Sequence, residues 1–220
     1  MKISVYWFWE ALKNLPEPII AIDVWAATTN LVTILSKNPK HLIIVNEENF
    51  PRAEAIYPNS FLVGESEILP SKVFDVSNYP PDIAAAWLRN KSVLFMTDNG
   101  TRVFEKYQGK QVISCAFVNL AAVAEFLRDK KQLTIIMAGD KPNKTLEDEI
   151  CSQILIKEIK REKYDWEDLA EKMKKFIKSY YQWPPKEENK ALPIVLRRSK
   201  YEIIPAGRLN KKGFVEIGPL

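Results

Sequence analysis

An acid stands near the end of one short apolar run after another. Asp23 closes the run 19–23 and leads into Ala27-Thr28-Thr29. Glu65 follows Gly64, and Asp98 sits inside Thr97-Asp98-Asn99-Gly100-Thr101-Arg102. Glu147 and Asp148 come shortly after Gly139-Asp140. An acid at a strand terminus followed by hydroxyls at a helix start can hold a divalent metal, and the N–H groups of such a turn can bind an anion. In 97–102, glycine permits the tight turn, successive N–H groups can form an anion nest, and Arg102 can grip oxyanions in bidentate fashion. Each cluster also has a structural reading: threonines partnering Asp23, a plain Asp-Asn-Gly turn, acids complementing a helix dipole, Asn119 as a helix cap. Asn78-Tyr79-Pro80 reads by itself as a turn. Chemistry follows only if distant strand ends are brought together.

The spacing of apolar residues predicts the elements that would do so. Short runs at 19–23, 42–45, 61–63, 92–96, 112–116 and 133–138 alternate with helical spacing at 26–36, 51–57, 101–107 and 120–128. This alternation predicts an α/β protein with a parallel or mostly parallel sheet, whose ligands bind outside the carboxyl ends of the strands. Asp23 and Asp98 are 75 residues apart, as are Gly64 and Gly139, which suggests two similar β/α halves, about 19–90 and 91–165, within a single domain spanning 1–220. A helix over 145–161 opens on a capping-box-like Thr145/Asp148 pair, and a second over 166–181 is stopped by Pro184 and Pro185. The tail to residue 220 carries β-like runs at 194–196 and 201–204, expected as an added edge hairpin or tail packing. Trp7, Phe8 and Trp9 read as core residues.

Composition narrows the function classes. Hydrophobic residues make up 46% of the chain, enough for a sizeable core. Lys and Arg number 32 against 28 acids, and in the most basic stretch, 157–178, the signs are mixed at helical spacing, so a nucleic-acid partner is not expected. His41 is the single histidine, which argues against a histidine triad or zinc site. Cys115 and Cys151 lie in apolar runs and read as buried free thiols of a reducing compartment. No stretch approaches the ~20 apolar residues of a membrane span, and 1–9 lacks the features of a secretory signal, so a cytoplasmic protein without a membrane partner is expected.

Taken in order, five stretches resemble the 2-phosphosulfolactate phosphatase family of coenzyme M biosynthesis: IAIDVWAATTNLVTIL (20–35), LVGES with FDVSNYP, FMTDNGTRVFE (95–105), AFVNLAAVAEFL (116–127) and IIMAGDKPNKTLEDEI (135–150). The resemblance implies a three-layer α/β/α fold, Mg2+ as cofactor, and hydrolysis of a phosphate monoester on a small sulfonated or carboxylated acid. It makes Asp23, Asn99 and Arg102 the candidate catalytic residues and Thr28, Thr29, Asn78, Gly100, Thr101 and Asn119 the candidate substrate-binding ones. Asp23, Glu65, Glu147 and Asp148 become the candidate metal ligands. Where the family typically has arginine this chain has Ala26 and Ser66, and it has Asp98 where the family has threonine. The anion pocket is therefore expected to be roughly three charges less positive, each lost charge-assisted hydrogen bond being worth about 1.5–3 kcal/mol. The alternative expectation is a non-catalytic relative that binds a small ligand or serves in an assembly; a homo-oligomer is compatible with either.

Overall fold

The computed structural model describes residues 1–140, 142–181 and 185–220. The strands are β1 (Lys2–Trp7), β2 (Ile19–Ile22), β3 (His41–Ile44), β4 (Phe61–Gly64), β5 (Val76–Ser77), β6 (Ser92–Met96), β7 (Val112–Cys115), β8 (Gln132–Met137), β9 (Pro205–Leu209) and β10 (Val215–Pro219). The helices are α1 (Ala27–Leu35), α2 (Phe50–Ile56), α3 (Pro80–Ala85), α4 (Gly100–Lys106), α5 (Leu120–Leu127), α6 (Leu146–Lys160), α7 (Trp166–Tyr181) and α8 (Pro185–Val195). All ten strands join one sheet in the order β1-β8-β2-β7-β9-β10-β3-β6-β4-β5. Pairing is parallel throughout except around the β9–β10 hairpin, which is antiparallel to itself, to β7 and to β3. The chain is thus an α/β protein with a mostly parallel sheet.

About the hairpin the order β8-β2-β7 on one side corresponds to β4-β6-β3 on the other, with β2 matching β6, β7 matching β3 and β8 matching β4. β2 lies between β7 and β8, and β6 lies between β3 and β4. Strands of 19–90 and 91–165 are therefore interleaved, each side of the sheet taking strands from both segments.

Side-chain alternation sorts the apolar residues into layers. From β2, Ile19 and Ala21 enter a central core and Ile20 and Ile22 an outer one. From β3 and β6, Leu42, Ile44, Val93 and Phe95 join the same central core, while Ile43, Val45, Leu94 and Met96 face a third. Helices α1 and α4 supply Leu31, Ile34, Val103 and Phe104 to the central core. Helices α5 to α8 cover one outer face, and α2 the other. Each fully buried Leu, Ile or Phe contributes about 1.5–3 kcal/mol through apolar area removed from water.

The sheet must curl strongly. Five strand-to-strand steps separate β2 from β6, or about 24 Å along a flat sheet at ~4.8 Å per step. Yet a Cβ built on Gly100, at the start of the helix after β6, would lie 2.5 Å from Oδ2 of Asp23, at the end of β2. Curling brings the carboxyl ends of the two parallel sets face to face, with α1 and α4 between them.

Several expectations change. Residues 194–196 fall at the end of α8 instead of a strand, and 201–204 are irregular. The C-terminal hairpin is central in the sheet, not at an edge, because β7 and β3 each offer it an unpaired flank. His41 is tied to this hairpin, its Nδ1 lying 2.8 Å from Oε1 of Glu216. Residues 2–7 form an edge strand that their aromatic content did not reveal, and Trp7 is buried from it. α7 ends at Tyr181 and Pro185 opens α8 instead of only stopping α7; the expected stop at Pro184 lies outside the described residues. Among the described residues no helix is long and apolar enough to cross a membrane.

Candidate active site

Asp23 follows β2 and is held by the helix that it precedes. Its Oδ1 accepts the Ala27 N–H at 3.2 Å, and the Gly100 N–H also bonds to the carboxylate. The Thr28 hydroxyl donates to the Asp23 carbonyl at 2.6 Å and accepts the Asp23 N–H at 3.0 Å; Thr29 donates to the Val24 carbonyl at 2.8 Å. Both threonines are fully buried, and their hydroxyls hydrogen-bond to backbone groups of this turn.

Asp148, in the first turn of α6, does not cap its own helix. Thr145 makes no capping hydrogen bond either. Instead Asp148 accepts the Val24 N–H at 2.8 Å with one oxygen and the Gly139 N–H at 2.9 Å with the other. It thereby ties the ends of the neighbouring strands β2 and β8 together. Glu147 beside it is 1% exposed; Oε1 accepts the Tyr181 hydroxyl at 2.6 Å, and Oε2 has no partner among the described residues.

These acids crowd one another. Burial pushes Asp23 up to about 7, and Glu65 and Glu147 add like-charge repulsion against the hydrogen bonds from Ala27 and Gly100. Burial and then repulsion from Asp23 carry Asp148 to about 8. Burial and then Asp148 carry Glu147 to about 8, with the Tyr181 hydrogen bond acting the other way. Glu65 faces the cavity, where the surrounding protein still raises its carboxyl and Asp98 and Asp140 add to the effect. Perturbation of this kind, from groups at separate strand ends, marks a functional-site candidate.

A cavity of about 530 Å³ opens beside them, lined among others by Glu65, Asn78, Asn99, Asp140, Trp25 and Tyr181. Asn78 donates to Oε1 of Glu65 at 2.8 Å. Asn30, fully buried on α1, donates to both the backbone and side-chain oxygens of Asn78, at 2.8 and 2.9 Å. Asn30 stands within the stretch 20–35 but was not singled out there, since an asparagine inside an amphipathic helix gives no sign of which loop it will meet. Trp25 and Tyr181 stack at 5.6 Å between ring centroids, and nothing local at the end of α7 foretells that Tyr181 closes the site.

The structure brings together Asp23, Glu65, Asn78, Asn99, Gly100, Glu147 and Asp148, and leaves others aside. Arg102 is exposed outside the cavity lining, with its charge near Asp98 and Glu105. The Thr101 hydroxyl donates to the Thr97 carbonyl at 2.7 Å and is buried. The Gly100 N–H serves Asp23. Asn119 is fully buried as a turn brace: Oδ1 accepts the Ala116 N–H at 2.9 Å, and Nδ2 donates to the Ser114 and Ile203 carbonyls at 3.1 Å each. Asn119→Ala is expected to cost about 1–3 kcal/mol of stability in urea unfolding while leaving ligand affinity unchanged. Ala26 and Ser66, where arginines were expected of the resembled family, both line the cavity. Ser66 bonds to Glu47 at 2.5 Å and accepts the N–H groups of Ile68 and Leu69.

Could these residues hold a cation? Among the described residues no three Asp, Glu, His or Cys side chains come close enough to form a metal-holding group. The donor chemistry nonetheless suits a hard divalent ion, since buried carboxylates crowd together and one oxygen of Glu147 is unpartnered.

Fold and site together define an α/β protein with an acidic, aromatic-walled cavity at the carboxyl ends of a curled parallel sheet. Residues 9–192 match the family model for 2-phosphosulpholactate phosphatase, and the chain belongs to that family. Relatives named "Probable 2-phosphosulfolactate phosphatase" occur in Thermotoga petrophila, 30% identical over 145 residues, and Thermotoga maritima, 31% identical over 144. Each match covers 64% of this chain and 62% of the relative, so the chain spans less than two thirds of those proteins. A relative of the same name in Thermoplasma volcanium is 25% identical over 159 residues, covering 70% of this chain and 74% of its own.

Proposed function

We propose that this chain is a Mg2+-dependent hydrolase of a phosphate monoester on a small sulfonated or carboxylated acid. The observation that carries the reading is the gathering of Asp23, Glu65, Glu147 and Asp148, from separate strand ends, beside one cavity in a chain of this family. Water adds across the ester P–O bond: phosphorus gains the water oxygen, and the ester oxygen leaves as the alcohol with a proton. Glu147, whose Oε2 has no partner among the described residues, would supply a carboxylate to the ion, with water in the positions that the other acids leave open. When bound, Mg2+ supplies positive charge to the phosphoryl oxygens and acidifies water. Asp148 braces β2 against β8 and so positions Asp23. Asp23, titrating near neutrality, can take a proton from the attacking water. Asn99 and Asn78 offer amide donors at the cavity wall.

The test is hydrolysis of a panel of phosphate esters, including 2-phosphosulfolactate, in Mg2+ and in EDTA. Turnover is expected in Mg2+ only, and Asp23→Asn is expected to lower kcat by about 10²–10⁴-fold. Equal rates in EDTA, or an Asp23→Asn enzyme as fast as the parent, would defeat the reading.

A non-catalytic ligand-binding role is favoured by one observation. The oxygens of Asp148 are both committed to backbone N–H groups, as is the Asp23 carboxylate. Absence of turnover on every ester, together with measurable ligand binding, would support that role instead.

A further inference from the structure

Asn30 is fully buried on α1, yet its amide is only half used. Nδ2 donates to the Asn78 backbone carbonyl at 2.8 Å and to Oδ1 of the Asn78 side chain at 2.9 Å. Oδ1 of Asn30 has no partner among the described residues. A buried acceptor left without a partner lowers stability, and leucine in its place would fill similar space without that cost. Packing alone therefore gives no reason for an asparagine here. What it does hold is Asn78, in the loop between β5 and α3, where Asn78 lines the cavity.

The orientation of both amides follows from one group that cannot turn. The Asn78 backbone carbonyl is an acceptor, so the Asn30 group facing it must be the NH2. That NH2 in turn requires an oxygen from the Asn78 side chain, which leaves the Asn78 NH2 on the other side. There one N–H donates to Oε1 of Glu65 at 2.8 Å, and the second has no partner among the described residues. No described residue lining the cavity is Lys or Arg, so uncharged donors such as this one are what its wall offers to an anionic ester. We propose that Asn30 is a positioning residue for substrate recognition: it fixes the Asn78 amide so that the free N–H donates to an anionic oxygen of the substrate. Without Asn30 the Asn78 amide can rotate and turn its carbonyl toward that oxygen. The inference rests on the phosphatase reading for the ester that is bound, and on α1 and the β5–α3 loop for its geometry.

The test is a double-mutant cycle on 2-phosphosulfolactate, in Mg2+ at fixed salt. Asn30→Leu is expected to raise KM about fivefold or more, with kcat changing less, and to leave the urea midpoint no lower than in the parent. In the Asn78→Ala background the same substitution should change KM less than about twofold, because no amide remains to be positioned. Should Asn30→Leu not fold, Asn30→Ser, shorter by the amide group, takes its place. An unchanged KM in the Asn30 variant overturns the inference, as does an equal rise of KM in both backgrounds. A lower urea midpoint with unchanged KM would make Asn30 a structural residue only. Should the parent not hydrolyse this ester, calorimetric titration with it runs the same cycle on Kd. Weaker binding in the Asn30 variant that vanishes in the Asn78→Ala background upholds the inference while removing the phosphatase reading. Equal effects in both backgrounds, or no binding by the parent, overturn it.

Discussion

Replacing Gly64 by alanine is expected to destabilise the protein by roughly 3–6 kcal/mol, a large part of the margin of a folded domain. Gly64 ends β4 at φ +133°, a conformation that L side chains rarely adopt, and a Cβ there would stand 1.8 Å from the carbonyl oxygen of Met96 on β6. No side-chain rotation relieves a collision with a backbone oxygen. Either β4 separates from β6, breaking the parallel pairing in which Gly64 faces Met96, or the turn into Glu65 is remade. Both move Glu65 and the Asn78 that holds it. Urea unfolding of Gly64→Ala measures the loss. A change below about 1 kcal/mol would mean that the close approach of these two strands is easily relaxed.

Stability in the absence of divalent cations is expected to fall as pH rises. Asp23 and Asp148 start from 3.8 and Glu147 from 4.5, and in the fold they lie near 7, 8 and 8. Between those limits the folded protein binds more protons than the unfolded chain, so the slope of unfolding free energy with pH is negative. The contribution is fully present below about pH 4 and is lost as pH rises through 7 to 8. Burial is the main cause and repulsion among the three the next, so their protons leave in coupled steps. One such proton displaced by three units corresponds to about 4 kcal/mol. Urea unfolding in EDTA at about pH 5 and about pH 9 should therefore differ by several kcal/mol, and millimolar Mg2+ should flatten the difference by supplying the missing positive charge. Asp148→Asn should also flatten it, at the cost of one N–H bond between α6 and the strand ends. A stability that holds level in EDTA, or one that Mg2+ leaves unchanged, would contradict the cation site.

Most of the order of strands and helices between residues 19 and 181 was legible in the amino-acid sequence because it follows from local periodicity. Four-residue apolar runs such as 19–22 and 112–115 can bury both faces only inside a sheet, and the runs between them at helical spacing supply the covering layer. The acids at the run ends were legible for the same reason, since parallel strands put their carboxyl ends on one edge. Family membership was legible in five ordered motifs. What the side chains do at those ends was decided by tertiary structure. Thr28, Thr29, Thr101 and Asn119 stand in the motifs, yet their polar groups are consumed by backbone partners. Asp148 looked like part of a helix cap and instead joins two strands, one of them 124 residues away in sequence. Asn30 and Tyr181 enter the site from helix positions that local pattern assigns to ordinary packing. The reason is the curl of the sheet: it depends on a C-terminal hairpin inserted between β7 and β3, and only that closure sets the end of β2 against the start of α4. Local propensity acts over a few residues, whereas this contact joins segments whose separation along a flat sheet would be several times any side chain's reach.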